Sequence, residues 1–431
     1  RSVSARYFGF RGEMDRRADA RTRQEDNRTS MSLDIVECFL SLSRSLDFTY
    51  HGLMNHHYRT ALIAVEIGKA IGLPDNRIID LFQAAIIHDI GVISWQEKIE
   101  LTQFEIKSPW QHCQKGDEIL KDNPSLGHLS DIILCHHDRW SGKNPSGLIK
   151  NAIPLDSRII HLADRIDILI SNYLNILEQR DMIVNQVYQA SGVIFDPDLT
   201  AVFQSLAARD SFWFNIALPW SQECLNEMLP PCRTRVDLKY LLDIAKLFAQ
   251  VVDAKSHFTY RHSRGVAMTA RLMGEELHMP DEDCSLLEVA GLLHDLGKLA
   301  IPSELLEKPA RLTTSEYNLI KQHAYYTYWL LKPLTRKVAL AEWAAYHHER
   351  PNGQGYPFAK SGAELDDKSR LIAAADIFTA LREERPYRTN MSWNQITRIM
   401  NQLADNKDLD KDSTILILDN QKKLDQRWSQ I

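Results

Sequence analysis

The chain carries seven histidine and aspartate residues in the same order twice, and both residue types bind transition metals. The C-terminal copy comprises His262, His294, Asp295, His323, His347, His348 and Asp376. The N-terminal copy comprises His56, His88, Asp89, His112, His136, His137 and Asp164. In both copies the second histidine follows the first by 32 positions, and the histidine pair follows the third by 24. The C-terminal set predicts a metal centre, and the N-terminal set is a candidate for a second one.

Two metal ions fit the C-terminal set better than ordinary core packing does. A lone buried histidine is usually a hydrogen-bonded core residue, but seven residues repeated in order are not explained in that way. Asp295 follows a very apolar segment, where an unpaired carboxylate would be costly to bury. The cost disappears if Asp295 bridges two ions. We expect one ion on His262, His294, Asp295 and Asp376, and the other on Asp295, His323, His347 and His348. Mixed imidazole and carboxylate ligands favour iron or manganese.

Composition limits the class of protein and its partners. A length of 431 residues favours two domains. The net charge of −6 argues against a polymeric nucleic acid partner, which requires a basic surface. Six scattered cysteines without a CxxC pair indicate a reducing cytoplasm. No apolar run reaches the roughly 18 residues of a membrane span.

Helical periodicity recurs along nearly the whole chain and predicts an all-α protein. Both copies place an aspartate nine positions before the first ligand histidine and a proline eighteen positions after it. This internal duplication predicts two related helical bundles, each with its own core. Pro230 and Pro231 mark a linker, because proline stops helices. The expected organisation is a disordered leader (1–30), a first domain (31–229), a linker (230–235) and a second domain (236–431).

The C-terminal copy resembles the bacterial HD-GYP family over about residues 236–400. The resemblance lies in the segments HSRGVA, HDLGK, HHERPNGQGYP and ADIFTALREERPYR. It implies tandem HD-type helical bundles and hydrolysis of a cyclic dinucleotide to a linear one by a metal-dependent phosphodiesterase. The usual substrate in the family is 3′,5′-cyclic di-GMP. A smaller set acts on 3′,3′-cyclic GMP-AMP, and the segment 258–262 is similar to that set.

The resemblance also implies roles for single residues. Lys298 corresponds to the catalytic lysine that offsets phosphate charge, next to the bridging Asp295. Tyr356 corresponds to the tyrosine that lines the substrate groove, and Arg385 and Arg388 to cations that hold phosphate or guanine. Members with three metals have a glutamate where this chain has Phe258, so we expect two metals.

The N-terminal copy lacks these substrate-binding residues. Val92 stands at the lysine position, Asn144-Pro145-Ser146 at the GYP position, and Tyr173 and Ile176 at the arginine positions. We therefore expect a degenerate HD domain that serves as a structural or dimerising partner. A second hydrolytic site for another phosphate ester is the alternative.

Two other functions of the whole chain stay open. A non-catalytic sensor would bind a cyclic dinucleotide and signal through the tandem domain or a partner, without releasing a linear product. A di-iron oxidation on the same scaffold is disfavoured by the GYP and RPYR elements.

Overall fold

The computed structural model describes residues 33–47, 55–92, 95–106, 109–217, 221–230, 235–255, 261–335, 338–383 and 391–429. Several predictions concern residues outside these ranges, namely the leader (1–30), linker residues 231–234, Phe258, Arg385 and Arg388. Within the described part the chain is helical, so the predicted all-α class is confirmed. None of the described helices combines the length and the apolar character needed to cross a bilayer.

Eleven α-helices belong to the N-terminal half of the described chain. They are α1 (Ile35–Asp47), α2 (His56–Ala70), α3 (Asp75–Ile86), α4 (Trp95–Leu101), α5 (Trp110–Leu120), α6 (Ser130–Leu134), α7 (Leu155–Ile168), α8 (Ile176–Gln189), α9 (Pro197–Ala207), α10 (Asp210–Ala217) and α11 (Ser221–Met228). Short 3₁₀ helices cover Gly127–Leu129 and Lys150–Ala152.

Ten further α-helices form the C-terminal half. They are α12 (Leu238–Lys255), α13 (His262–Glu276), α14 (Asp281–Leu293), α15 (Ser303–Leu306), α16 (Thr314–Leu331), α17 (Leu340–Ala345), α18 (Asp367–Arg382), α19 (Trp393–Asp405), α20 (Lys411–Asp419) and α21 (Gln421–Trp428). Short 3₁₀ helices cover Leu296–Ala300, Lys332–Thr335 and Tyr346–His348. Two strands of two residues, β1 (Leu33–Asp34) and β2 (Arg235–Val236), pair antiparallel and join the two halves.

The duplicated prolines mark equivalent helix starts. Pro74 and Pro280 are the N-cap residues of α3 and α14, each with an extended ψ angle. The helices then begin with Asp75 and Asp281, whose negative charge is favourable at the positive end of the helix dipole. The two helices that lead to the His-Asp pairs therefore start in the same way.

A glycine two positions after each His-Asp pair allows the chain there to approach the helix that carries the third ligand histidine. A Cβ atom on Gly297 would lie 2.0 Å from the carbonyl oxygen of His323, and one on Gly91 would lie 2.0 Å from that of His112. Only glycine fits there, because a real Cβ atom does not come that near to backbone. The glycine thus brings the third ligand histidine beside the His-Asp pair in both copies.

The first helix of each copy packs partly on the other copy. Helix α1 contacts α16 and the 3₁₀ helix Leu296–Ala300, and the Ser41 hydroxyl donates to the carbonyl of Leu330. Helix α12 contacts α5, and the Asn123 amide donates to the carbonyl of Asp243 at 2.8 Å. The two bundles therefore exchange contacts through equivalent helices.

This exchange merges the two predicted cores. Most buried apolar residues from α1 to α21 form one continuous cluster, so the cores of the two predicted bundles are joined. The short amphipathic helices of each half leave apolar surface that the other half covers, which the sequence pattern alone does not reveal. The domain boundaries at residues 229 and 236 stay a prediction.

We expect Gly297→Ala to lower the free energy of unfolding by about 1–3 kcal/mol or more, the usual cost of overpacking. The added methyl group must push the backbone of His323 away. Denaturant unfolding followed by circular dichroism measures the change. An unaltered transition would mean that α16 can move without cost, and would contradict this account of the glycine.

Candidate metal centres

The seven predicted C-terminal ligands meet at one place in the fold, which we call the C-terminal cluster. His262 begins α13, and His294 is the C-cap residue of α14 and is followed directly by Asp295. His323 lies in α16, and Asp376 lies in α18. His347 and His348 belong to the 3₁₀ helix that follows α17. The cluster thus gathers ligands from five separate elements of the described chain.

Asp295 lies between two groups of imidazoles. Its Oδ2 atom is 3.2 Å from Nε2 of His294, which in turn is 3.9 Å from Oδ1 of Asp376. Its Oδ1 atom is 3.4 Å from Nε2 of His323 and 3.8 Å from Nε2 of His347. Each carboxylate oxygen therefore faces a different set of ligands, as a bridge between two cations requires.

Buried atoms without partners show that these residues fit metal ions. Nε2 of His294 and Oδ1 of Asp295 are fully buried and have no hydrogen-bond partner in the described structure. Such unsatisfied groups cost about 1–3 kcal/mol each and require an explanation. Metal coordination at these atoms removes the cost.

The orientation of the imidazoles supports the same conclusion. Nδ1 of His294, His323 and His347 donates to the carbonyl three residues earlier, at 2.7, 2.6 and 2.7 Å. Each ring therefore presents Nε2 to the cluster. A histidine ligand commonly has its other nitrogen fixed by a carbonyl in this way.

Glu383 is a partner of the cluster that the sequence analysis missed. Its carboxylate lies 3.1 Å from Nδ1 of His262, whose Nε2 lies 3.0 Å from Asp376. Burial lowers the pKa of His262, but hydrogen bonds to Asp376 and Glu383 outweigh it and raise the pKa to about 10. A ligand nitrogen must lose its proton, so metal and proton compete for His262. Glu383 follows Asp376 by seven positions, two helical turns, and that spacing was the available signal.

The C-terminal cluster opens to solvent beside Lys298 and Tyr356. The Lys298 ammonium lies 2.5 Å from Oδ2 of Asp295, and its side chain is 23% exposed. Burial by itself would lower the pKa of Lys298. The negative charge of Asp295 and its hydrogen bond stabilise the ammonium form, so the pKa of Lys298 is raised. The Tyr356 ring lies 4.7 Å from the ring of His348, and both residues are partly exposed. This edge offers a cation and an aromatic surface beside the metal ligands.

A buried carboxylate, also missed by the sequence analysis, holds the loop that bears Tyr356. Glu349 accepts hydrogen bonds from the backbone amides of Phe358 at 2.7 Å and Lys360 at 2.8 Å. The amide of Tyr356 donates to the carbonyl of His348 at 3.2 Å. These bonds fix the loop against the histidine pair, and so place Tyr356 at the edge of the cluster.

The N-terminal ligands meet in the same arrangement, which we call the N-terminal cluster. Oδ1 of Asp89 lies 3.3 Å from Nε2 of His112, and Oδ2 lies 3.6 Å from Nε2 of His88. Oδ1 of Asp164 lies 3.4 Å from Nε2 of His56. All seven ligand residues are buried. The structure therefore brings both predicted sets together.

The surroundings of the N-terminal cluster differ from those of the C-terminal one. Val92, at the lysine position, is buried. Asn144, at the GYP position, closes its own turn by accepting from the Arg139 amide and donating to two carbonyls. Tyr173 is 97% exposed, and Ile176 belongs to the core. Val92, Asn144 and Ile176 provide neither a cation nor an aromatic ring at this cluster, and Tyr173 is almost fully exposed.

The fold and the two clusters define a protein of the HD class of metal-dependent phosphohydrolases. HD-domain family models match residues 53–169 and 246–412. The 3′3′-cGAMP-specific phosphodiesterase 1 of Vibrio cholerae serotype O1 is 33% identical over 86% of this chain and 88% of the relative. A cyclic di-GMP phosphodiesterase of Pseudomonas aeruginosa is 34% identical over 32% of this chain and 33% of its own length.

A solved structure is similar over nearly the whole chain. It is a cyclic GMP-AMP-specific phosphodiesterase of V. cholerae, with a TM-score of 0.60 and 26% identity over 90% of this chain and 97% of that one. The chain therefore belongs to the HD-GYP phosphodiesterase family and is a hydrolase.

We expect Asp295→Ala to lose both activity and the metal of the C-terminal cluster, because its two oxygens serve both ligand groups. Metal per chain, measured by inductively coupled plasma mass spectrometry, should fall together with turnover. The matched control is Asp281→Ala, since Asp281 is exposed at the start of α14 and pairs only with Arg271 among the described residues. Full metal content and activity in Asp295→Ala would contradict the bridging role.

Proposed function

We propose that the chain is a metal-dependent phosphodiesterase that opens a cyclic dinucleotide, with 3′,3′-cyclic GMP-AMP as the preferred substrate. The observation that carries the proposal is Asp295, which lies between two imidazole groups with Lys298 at the exposed edge. The preference rests on the V. cholerae relative specific for cyclic GMP-AMP, which is similar over most of both chains. The matched cyclic di-GMP relative covers only about a third.

The C-terminal cluster would hold two divalent cations, with iron or manganese suited to its mixed ligands. Bound cations supply Lewis acidity and lower the pKa of water. The residues that would hold them are His262, His294, Asp295, His323, His347, His348 and Asp376. The chain's own contribution is to fix these ligands and to leave one edge open to the substrate.

Lys298 supplies positive charge at that open edge. Its ammonium stays protonated because Asp295 raises its pKa, so it can face a non-bridging phosphate oxygen as charge develops there. Tyr356 forms an aromatic wall 4.7 Å from His348, on which a base or ribose can pack. Arg385 and Arg388, proposed from the sequence pattern, would hold the second phosphate or a base.

The proposal also covers the partners, the location and the domain limits of the protein. The net charge of −6 disfavours polymeric nucleic acid, whereas a small anion needs only the local cations. A cytoplasmic location, in line with the scattered cysteines, and assembly as a homodimer are also part of this proposal. The catalytic domain is proposed to cover residues 236–431.

We expect Lys298→Ala to reduce kcat by about 100-fold or more, the usual cost of one transition-state electrostatic contact. Its metal content should stay that of the wild type, because Lys298 contacts Asp295 without being a ligand. Lys423→Ala is the control, since this exposed lysine pairs with Glu276 on the surface. Wild-type turnover in Lys298→Ala would exclude the proposed role.

We expect chromatography to resolve a linear dinucleotide product, formed faster from 3′,3′-cyclic GMP-AMP than from cyclic di-GMP. The assay uses the full chain loaded with manganese or with iron under reducing conditions. Faster cleavage of cyclic di-GMP would reverse the proposed preference but keep the activity. Ligand binding without any linear product would instead favour the sensor.

A further inference from the structure

The N-terminal cluster contains a set of four donors that the proposed phosphodiesterase does not use. One ligand atom from each residue lies within 4.8 Å of all the others, and every member is buried. The four residues are Asp89, His112, His136 and His137. The equivalent group of the C-terminal cluster holds three histidines, of which His348 is partly exposed. The N-terminal set is therefore both larger and more closed.

Two distances within this set match those between the ligands of a tetrahedral ion, and a third is longer. Nε2 of His112 lies 3.3 Å from Oδ1 of Asp89 and 3.3 Å from Nε2 of His136. Nε2 of His136 lies 3.8 Å from Oδ1 of Asp89. A zinc ion with bonds of about 2.0–2.1 Å holds tetrahedral ligands roughly 3.3–3.4 Å apart. Nε2 of His137 and Oδ1 of Asp89 are buried without hydrogen-bond partners in the described structure.

The other half of the N-terminal cluster carries an arginine next to its aspartate. The Arg165 guanidinium donates to Oδ2 of Asp164 at 3.0 and 2.7 Å. The equivalent position after Asp376 in the C-terminal copy is Ile377, which brings no charge. The charge of Asp164 is thus balanced within the protein.

A second arginine balances the other carboxylate of this half. Asp167 contacts Nδ1 of His56 at 2.7 Å, and it accepts from Arg59 at 2.5 and 3.3 Å. In the C-terminal copy the equivalent acceptor is Glu383, whose described ion pair is with His262. A divalent ion beside His56 would face two buried guanidinium groups, and like charges repel strongly where water is scarce.

The N-terminal cluster is also closed to a substrate. The Arg165 guanidinium donates to the carbonyls of Leu101 at 3.1 Å and Gln103 at 2.6 Å. These hydrogen bonds hold the end of α4 next to the ligand residues. The ring of His161 lies 5.2 Å from that of His137, and Phe195 packs on His161 at 5.4 Å. Among the described residues, these contacts cover the four donors, all of which are buried.

We propose that the N-terminal copy holds a single structural transition-metal ion, bound by Asp89, His112, His136 and His137, with zinc as the best-suited ion. A closed site with four protein ligands is the typical form of structural zinc. The ion connects the segment after α3 with α5 and with the histidine pair after α6. Because such a site does not exist in the unfolded chain, its binding free energy adds to folding stability.

The duplication supplies matched variants for the test. The full chain and its variants are dialysed against EDTA, and the retained metal is measured by mass spectrometry. We expect the wild type and His323→Ala to keep one ion per chain, and His112→Ala to keep none. Thermal unfolding of His112→Ala should then begin several degrees lower. Retention of the ion by His112→Ala, or its loss from the wild type, would overturn the proposal.

Two further measurements test the proposal even if His112→Ala folds poorly. His112→Cys supplies another zinc ligand, so it should recover both the ion and the unfolding temperature. His323→Ala reconstituted with cobalt should show the strong visible absorption of four-coordinate cobalt. Weak absorption of the six-coordinate kind, or two EDTA-resistant ions, would refute a single tetrahedral site. These outcomes do not test the proposed phosphodiesterase activity of the C-terminal domain, because the experiments measure metal content, absorption and unfolding temperature and not turnover.

Discussion

The burial of an ionised aspartate beside histidines is the constraint on which both halves of this structure depend. Asp295 is 3% exposed, and the pKa of its carboxyl is well below the usual range. Burial acts against this charge, and His294 and Lys298 outweigh burial. An isolated carboxylate in such a place would be very costly. The helices are therefore arranged so that imidazoles from several elements surround it, which makes the site suited to cations.

The same framework has acquired opposite charge environments in the two copies. In the C-terminal copy, Asp376 and Glu383 both face His262, and Lys298 lies at an open edge. In the N-terminal copy, buried Arg59 and Arg165 pair with the carboxylates next to the histidines. In the first arrangement, negative charge faces the ligand histidine, and Lys298 stays partly exposed at the edge. The second neutralises part of the cluster and closes it.

The aspartates nine positions before the first histidines join each cluster to the interface between the copies. Asp253 accepts from the Ser263 hydroxyl at 2.8 Å, and Asp47 contacts Nδ1 of His57 at 2.5 Å. Each aspartate lies on the helix, α12 or α1, that also packs on the other copy. The helix that anchors one cluster therefore forms part of the shared core.

The sequence by itself determined the helical class, the duplication and the two ligand sets, because these depend on periodicity and on exact spacing along the chain. The resemblance of the HDLGK and GYP segments to the HD-GYP family also pointed to Lys298 and Tyr356. Tertiary structure decided the rest. Glu383, Arg59 and Arg165 act on the clusters only through folded contacts, and charged residues of this kind are common on any helix. The shared core depends on which apolar helix faces pack together across the two copies. Periodicity identifies the apolar face of a helix but does not show which other helix packs on it.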